Sequence, residues 1–151
     1  MTATTSSAPR AERLRALGAD HIVDRSSSAE SDLPLFDVIV DTVAGPELGS
    51  KFALLRPNGR YVLCGGVGGA PAADFGTGML EVFHRSPTFI AFSLNSVDHA
   101  TVVEAGAQMF SDAERGELTP LIHRELPLAD AASAHVELEE GRAFGKIVLI
   151  P

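Results

Sequence analysis

Apolar residues occur in short runs parted by polar, Gly- and Pro-containing stretches, and their spacing alternates between the strand and helix periods. Met1 to Thr5 predicts a strand and Arg10 to Leu17 a helix, with Pro9 suited to its first turn and Gly18 to its end. His21-Ile22-Val23 is a short strand. After a Ser-rich loop, Leu35 to Asp41 is an apolar run of the length expected for a strand buried on both faces, which favours a parallel sheet. Gly45-Pro46 opens a second predicted helix to about Leu55, Pro57-Asn58-Gly59 makes a turn, and Arg60 to Cys64 is a further buried strand ending at Gly65-Gly66. A loop from Gly65 to Phe75 and an amphipathic segment from Met79 to Arg85 precede a strand over Thr88 to Ser93. From Ser96 a long helix runs towards Glu114, with Val102, Val103, Ala105, Ala107, Met109 and Phe110 spaced to cover one face of the sheet. Past Gly116 the pattern gives a strand at Leu121-Ile122-His123, a helix from about Ala129 to Glu139 and a terminal strand, Lys146 to Ile150. This β-α-β rhythm predicts an α/β protein with a parallel sheet.

Composition narrows the chemistry. The 151 residues, 45% hydrophobic, suit one ordinary globular domain. A net charge of -8 argues against nucleic acid and against a basic membrane anchor, so small molecules or other proteins are the expected partners. No apolar run nears the roughly 20 residues of a membrane span, and a cytoplasmic location is expected. Cys64 is the sole cysteine, and His21, His84, His99, His123 and His135 show no paired ligand spacing, so no metal is expected. No histidine pairs with a nucleophile or carboxylate at a motif spacing, so no catalytic residue is nominated.

Four segments in order are jointly specific: Arg13 to Asp20, Phe36 to Asp41, Leu55 to Arg60 and Gly145 to Leu149. Together they resemble landmarks of the medium-chain dehydrogenase/reductase family, in particular its zinc-free quinone-oxidoreductase branch. The resemblance covers nearly the whole chain, while the chain matches about half of a family member. It implies an incomplete Rossmann-type doubly wound sheet over residues 1-118, lacking the first strand and its Gly-rich turn. Residues 119-151 would be a tail that in the family packs on the substrate domain. Gly65-Gly66-Val67-Gly68-Gly69 and Gly76-Thr77-Gly78 lack the setting of that turn and read as loop. In the sheet order 3-2-1-4-5-6 both neighbours of the central strand would be present and the centre absent, which suggests a truncated or start-shifted polypeptide. Two unpaired edges would follow.

The resemblance also implies a nicotinamide cofactor. Thr4-Thr5-Ser6-Ser7 stand where an NAD-preferring unit carries an acid for the ribose 2′-hydroxyl. Hydroxyls at Ser6 and Ser7 followed by Arg10 at a helix start favour a 2′-phosphate instead, hence NADPH. Arg10, Arg25 and Arg142 match positions that the family uses around that phosphate, Arg25 replacing a tyrosine. Solvated arginines and Ser7 as a helix cap are the alternative. Val43-Ala44-Gly45, Gly65-Gly66-Val67 and Phe92-Ser93-Leu94 follow strand ends, where the family places backbone against the ribose and carboxamide. Ordinary loop and strand-end packing is the other reading. The substrate implied is a small carbonyl-type molecule such as a quinone or enone, and a homodimer through Thr88 to Ser93, or a complementing chain, is the implied protein partner. Three functions stay open: part of an NADPH-dependent oxidoreductase, a non-catalytic nucleotide-binding or interaction module, and an inactive fragment.

Overall fold

The structure is a computed structural model that describes residues 1–24 and 33–151. In chain order the elements are β1 (Thr2–Thr5), α1 (Ala8–Ala16), β2 (His21–Asp24), β3 (Phe36–Asp41), β4 (Leu55–Leu63), α2 (Gly76–Glu81), β5 (Thr88–Ala91), α3 (His99–Glu114), β6 (Ile122–Pro127), α4 (Ala131–Glu139) and β7 (Lys146–Ile150). Every strand pair is parallel: β1 with β2, β4 between β3 and β5, and β6 with β7. The α/β class with parallel sheets is as expected, and the pairings 3-2 and 4-5-6 of the doubly wound order both occur, in separate sheets. Contacts divide the chain into two units, Met1–Ser27 with Val103–Pro151, and Ser28–Val102. Among the described residues, no helix is long and apolar enough to cross a membrane.

The second unit holds the better core. Leu48, Phe52, Leu55 and Tyr61 are fully buried, with Ile39, Leu63, Phe75, Met79 and Phe89 packed against them. The rings of Phe52 and Tyr61 meet edge-on at 5.2 Å, and those of Phe52 and Phe89 at 5.7 Å. Two expectations change here. The segment from Pro46 is not an α-helix but two tight 3-10 turns, Pro46–Leu48 and Ser50–Leu54. Gly49 and Ser50 are weak helix formers, and Gly49 lies against the Phe75 backbone, yet the turns still bring Leu48, Phe52 and Leu55 to the core. Nor is β3 buried on both faces. Ile39 and Asp41 point into the core, whereas Val38 and Val40 are 49% and 66% exposed. Run length registers apolar character and not how many faces are covered.

The expected turn at Pro57-Asn58-Gly59 sits inside β4 as a bulge. Phe36 pairs with Leu55 but Val38 with Arg60, and Asn58 takes a left-handed φ of 61°.

In the first unit the buried apolar residues are few: Ala19, Leu126 and Ala134. The terminal strand β7 finds its partner within the chain, β6. Gly145, at φ 104°, lets β7 begin where a Cβ would strike the Leu121 carbonyl, to which Lys146 donates at 2.8 Å. The long helix α3 forms, its start capped by Asp98, but it contains no buried residue, so it does not cover a sheet as its apolar spacing predicted. Val103, Met109 and Phe110 are among its exposed residues: apolar spacing on a helix does not by itself decide whether another element covers it.

Core position and exposure make a direct contrast. Phe52→Ala should lower the stability of the second unit by about 3–5 kcal/mol, and Val40→Ala by less than about 0.5 kcal/mol, as read by urea denaturation.

Candidate functional site

In the first unit, β1 ends at Thr5 and α1 begins at Ala8, with Pro9 in its first turn. Ser7 occupies the N-cap position with extended backbone angles, and Ala11 donates to its carbonyl at 2.9 Å, but its hydroxyl makes no cap hydrogen bond. The capping alternative for that side chain is therefore not realised, and the hydroxyl is left for another acceptor or donor. Arg10, one turn on, donates from Nη2 to the carbonyls of Gly141 and of Ala143, the latter at 2.9 Å. Arg13, three residues further and so on the same face of α1, lays its guanidinium 4.2 Å above the Phe144 ring. The segment from Gly141 to Phe144 is thus clasped to α1 by two arginines. Gly141, at φ 65°, ends the turn after α4.

An open pocket of about 450 Å³ lies over this junction, lined by Ser6, Ser7, Pro9, Arg10, Arg13, Gly141, Arg142 and Phe144. It unites Ser6, Ser7, Arg10 and Arg142, four residues singled out in the sequence. Arg142 pairs with Glu140 at the surface, both side chains being about half exposed. Arg25 lies outside the described residues. Arg13 and Phe144 were missed by the sequence reading, although the i, i+3 spacing of Arg10 and Arg13 was legible. Three guanidinium groups and two hydroxyls around one opening form a donor set suited to an anion that accepts several hydrogen bonds.

In the second unit the strands are parallel, so the segments after β3, β4 and β5 emerge at one edge of the sheet. The determinant is Asp41, the last residue of β3. It is 7% exposed and the one buried carboxylate among the described residues. One oxygen accepts from the backbone N–H of Val43 at 2.7 Å and of Ala44 at 3.1 Å. The other accepts from Lys51 Nζ at 2.9 Å and from the Tyr61 hydroxyl. Burial opposes its charge, but the bonds from Tyr61, Lys51 and the two amides outweigh burial and hold the carboxyl down at about 2. The Tyr61 hydroxyl is pushed up, first by burial and then by Asp41.

The loop so anchored carries the next one. Val43 accepts from Gly68 at 2.7 Å, Gly45 donates to Gly69 at 3.2 Å, and Cys64 donates to Asp41 at 2.8 Å, all through backbone atoms. A Cβ on Gly65 would collide with the Thr42 carbonyl, so the glycine is required by the neighbouring loop. Ala44 and Gly45 are buried and adopt positive φ, of 60° and 91°. For Ala44, Gly45 and Gly65 the strand-end packing reading is the one whose contacts are seen. Gly66 and Val67 stand clear of it, Val67 being 89% exposed. Phe92 donates to Leu63 at 2.8 Å, and Ser93 caps the turn Leu94–Ser96 by accepting from Asn95. Phe92 and Leu94 are exposed. His84, His99 and His135 are exposed.

Known proteins give these features a context. The family described as zinc-binding dehydrogenase matches residues 17–149. The polyketide synthase GfsB of Streptomyces halstedii is 30% identical over 148 residues, covering 96% of this chain and 3% of its own. The quinone oxidoreductase of Pseudomonas aeruginosa is 29% identical over 160 residues, covering 98% of this chain and 48% of its own. A mycobacterial protein solved in complex with NADPH superposes with a TM-score of 0.82 at 23% identity, over 99% of this chain and 48% of its own, a likeness that establishes the fold. The chain therefore belongs to the zinc-binding dehydrogenase family, within the medium-chain dehydrogenase/reductases to which its four landmarks pointed. It spans under half the length of the Pseudomonas relative.

Despite the family's description, the donor set among the described residues does not suit zinc. Cys64 is the sole cysteine, and no group of three or more His, Cys, Asp or Glu among the described residues could hold a metal ion.

The Asp41 network predicts both a stability loss and a pH signature. Asp41→Asn should cost about 3 kcal/mol at neutral pH, because it leaves the Lys51 charge without its partner. The carboxyl titrates at about 2 here against 3.8 ordinarily, so its contribution is full above pH 3.8 and fades as pH falls towards 2. The stability gap between wild type and variant, measured by urea denaturation, should narrow over that window and stay constant above it.

Proposed function

We propose that this chain is the cofactor-holding part of an NADPH-dependent oxidoreductase, acting on a quinone, enone or related carbonyl-conjugated molecule. The observation that carries the reading is the gathering of Ser6, Ser7, Arg10 and Arg142 around one open pocket beside the first turn of α1. The donor set fits a 2′-phosphate. A phosphate monoester near neutral pH carries close to two negative charges and three acceptor oxygens. Guanidinium groups match those oxygens in pairs, hydroxyls add single bonds, and the positive end of α1 adds a favourable field. Among the described residues no carboxylate lines the pocket to accept from an unphosphorylated ribose, and Glu140, adjoining it, is occupied with Arg142.

Bound NADPH would supply a hydride, and the acceptor named for the Pseudomonas relative, a quinone, suggests a conjugated carbonyl as its destination. What this chain's residues would do is bind and orient. Arg10 and Arg142 would hold the phosphorylated ribose, with Arg25 a further candidate and Arg13 a second cation on the same face. In the second unit Gly66, Val67, Phe92, Ser93 and Leu94, at the ends of β4 and β5, are the residues proposed to face the nicotinamide ribose and carboxamide. Val43, Ala44 and Gly45 would support them. The division at residue 118, with residues 119–151 packing on a substrate domain, belongs to the same proposal, as does pairing of a second copy along the β5 edge.

Calorimetric titration tests the phosphate assignment. NADPH should bind about 10–100 times more tightly than NADH, the span expected for charge-assisted hydrogen bonds to one phosphate. Arg142→Ala should remove roughly tenfold of the NADPH affinity and leave NADH unchanged, and added salt should erode the NADPH preference. Equal affinities for the two cofactors in wild type would rule the assignment out.

A further inference from the structure

The glycine loop after β4 is not self-supporting. Among the described residues its backbone hydrogen bonds to the rest of the second unit, from Gly68 to Val43 and between Gly69 and Gly45, end on the loop after β3. That loop holds two consecutive residues at positive φ, one of them an alanine, which an unsupported backbone would not favour. At its start it is held by one carboxylate oxygen of Asp41, which accepts from the Val43 and Ala44 amides, while Leu48 donates to the Gly45 carbonyl further on. The carboxylate in turn cannot rotate, because its other oxygen is fixed by Lys51 and by Tyr61. Tyr61 itself is locked by edge contacts with Phe52 in the core. The chain of contacts runs from the aromatic core to Gly68 and Gly69, which adjoin the exposed tip at Gly66-Val67, Gly69 donating to the Gly66 carbonyl at 3.1 Å.

We infer that Asp41 is a positioning residue for the nicotinamide end of the cofactor: through the Val43–Gly45 turn it fixes where Gly66 and Val67 stand. The inference rests on the NADPH reading above. Asp41 touches no ligand in this arrangement. It acts by setting the loop on which the ligand-facing residues are carried, while Lys51 and Tyr61 fix the carboxylate.

The test compares two ligands on the full 151-residue chain. NADPH carries both ends of the dinucleotide, and 2′,5′-ADP carries only the phosphorylated adenosine end. Asp41→Ala removes the acceptor for both amides, whereas Asp41→Asn keeps one acceptor oxygen. Tyr61→Phe loosens the carboxylate and preserves the aromatic core, so it serves where Asp41→Ala fails to fold. Dissociation constants are measured by calorimetry well below each variant's unfolding temperature. Asp41→Ala is expected to weaken NADPH roughly tenfold or more, Tyr61→Phe roughly threefold, and Asp41→Asn less than Asp41→Ala, with 2′,5′-ADP affinity unchanged throughout. Parallel losses for both ligands would show a merely structural role and overturn the inference. So would unchanged NADPH affinity in Asp41→Ala and Tyr61→Phe, or a wild type that binds the two ligands equally well. If wild type fails to bind 2′,5′-ADP, the phosphate pocket falls and this inference with it. If wild type binds 2′,5′-ADP and NADPH is insensitive to Asp41, the inference alone falls.

Discussion

A carboxylate withdrawn from water must have its lone pairs satisfied or lose its charge, and Asp41 meets that demand through four donors. Most of the second unit's arrangement is tied to this constraint. Lys51 and Tyr61 must converge on one oxygen, which fixes the Ser50–Leu54 turn against β4. Two amides must converge on the other, which bends the chain sharply after β3. Aromatic packing of Phe52, Tyr61 and Phe89 makes the donor positions rigid, so the polar network and the apolar core specify the same geometry.

The first unit is held differently. With Ala19, Leu126 and Ala134 as its buried apolar residues, it relies on directed contacts between elements distant in sequence. Arg10 reaches the carbonyls of Gly141 and Ala143, and Arg13 stacks on Phe144. A guanidinium has five donors, and the two carbonyl bonds of Arg10 both use Nη2. The same side chains can therefore clasp the fold and face an anion. Structural and ligand-binding readings of Arg10 are not rivals.

Periodicity made the order and type of most elements legible, because the apolar runs of β3, β4, β5 and β7, and Pro9 and Gly18 at the two ends of α1, are local signals. Burial was less so. Val38 and Val40 read as core from their neighbours, yet whether an apolar face is covered depends on elements remote in the sequence. The turns from Pro46 to Leu54 deliver their apolar residues at helical spacing without forming an α-helix, which no spacing rule distinguishes. Of the site, the phosphate candidates were legible because hydroxyls before a helix start and arginines in matching positions carry their own chemistry. In the sequence Asp41 stands out only as the end of a strand landmark. Its importance arises from Lys51 and Tyr61, brought to it by the 3-10 turns and by parallel pairing, and none of that is written in local sequence.

The central assignment, that the Ser6, Ser7, Arg10 and Arg142 pocket holds the 2′-phosphate, is tested most directly by phosphorus NMR of that phosphate during a pH titration of NADPH bound to the protein. Clustered guanidinium groups should lower its second pKa clearly below the ordinary value of about 6. A bound 2′-phosphate that titrates as it does in free NADPH would contradict the assignment.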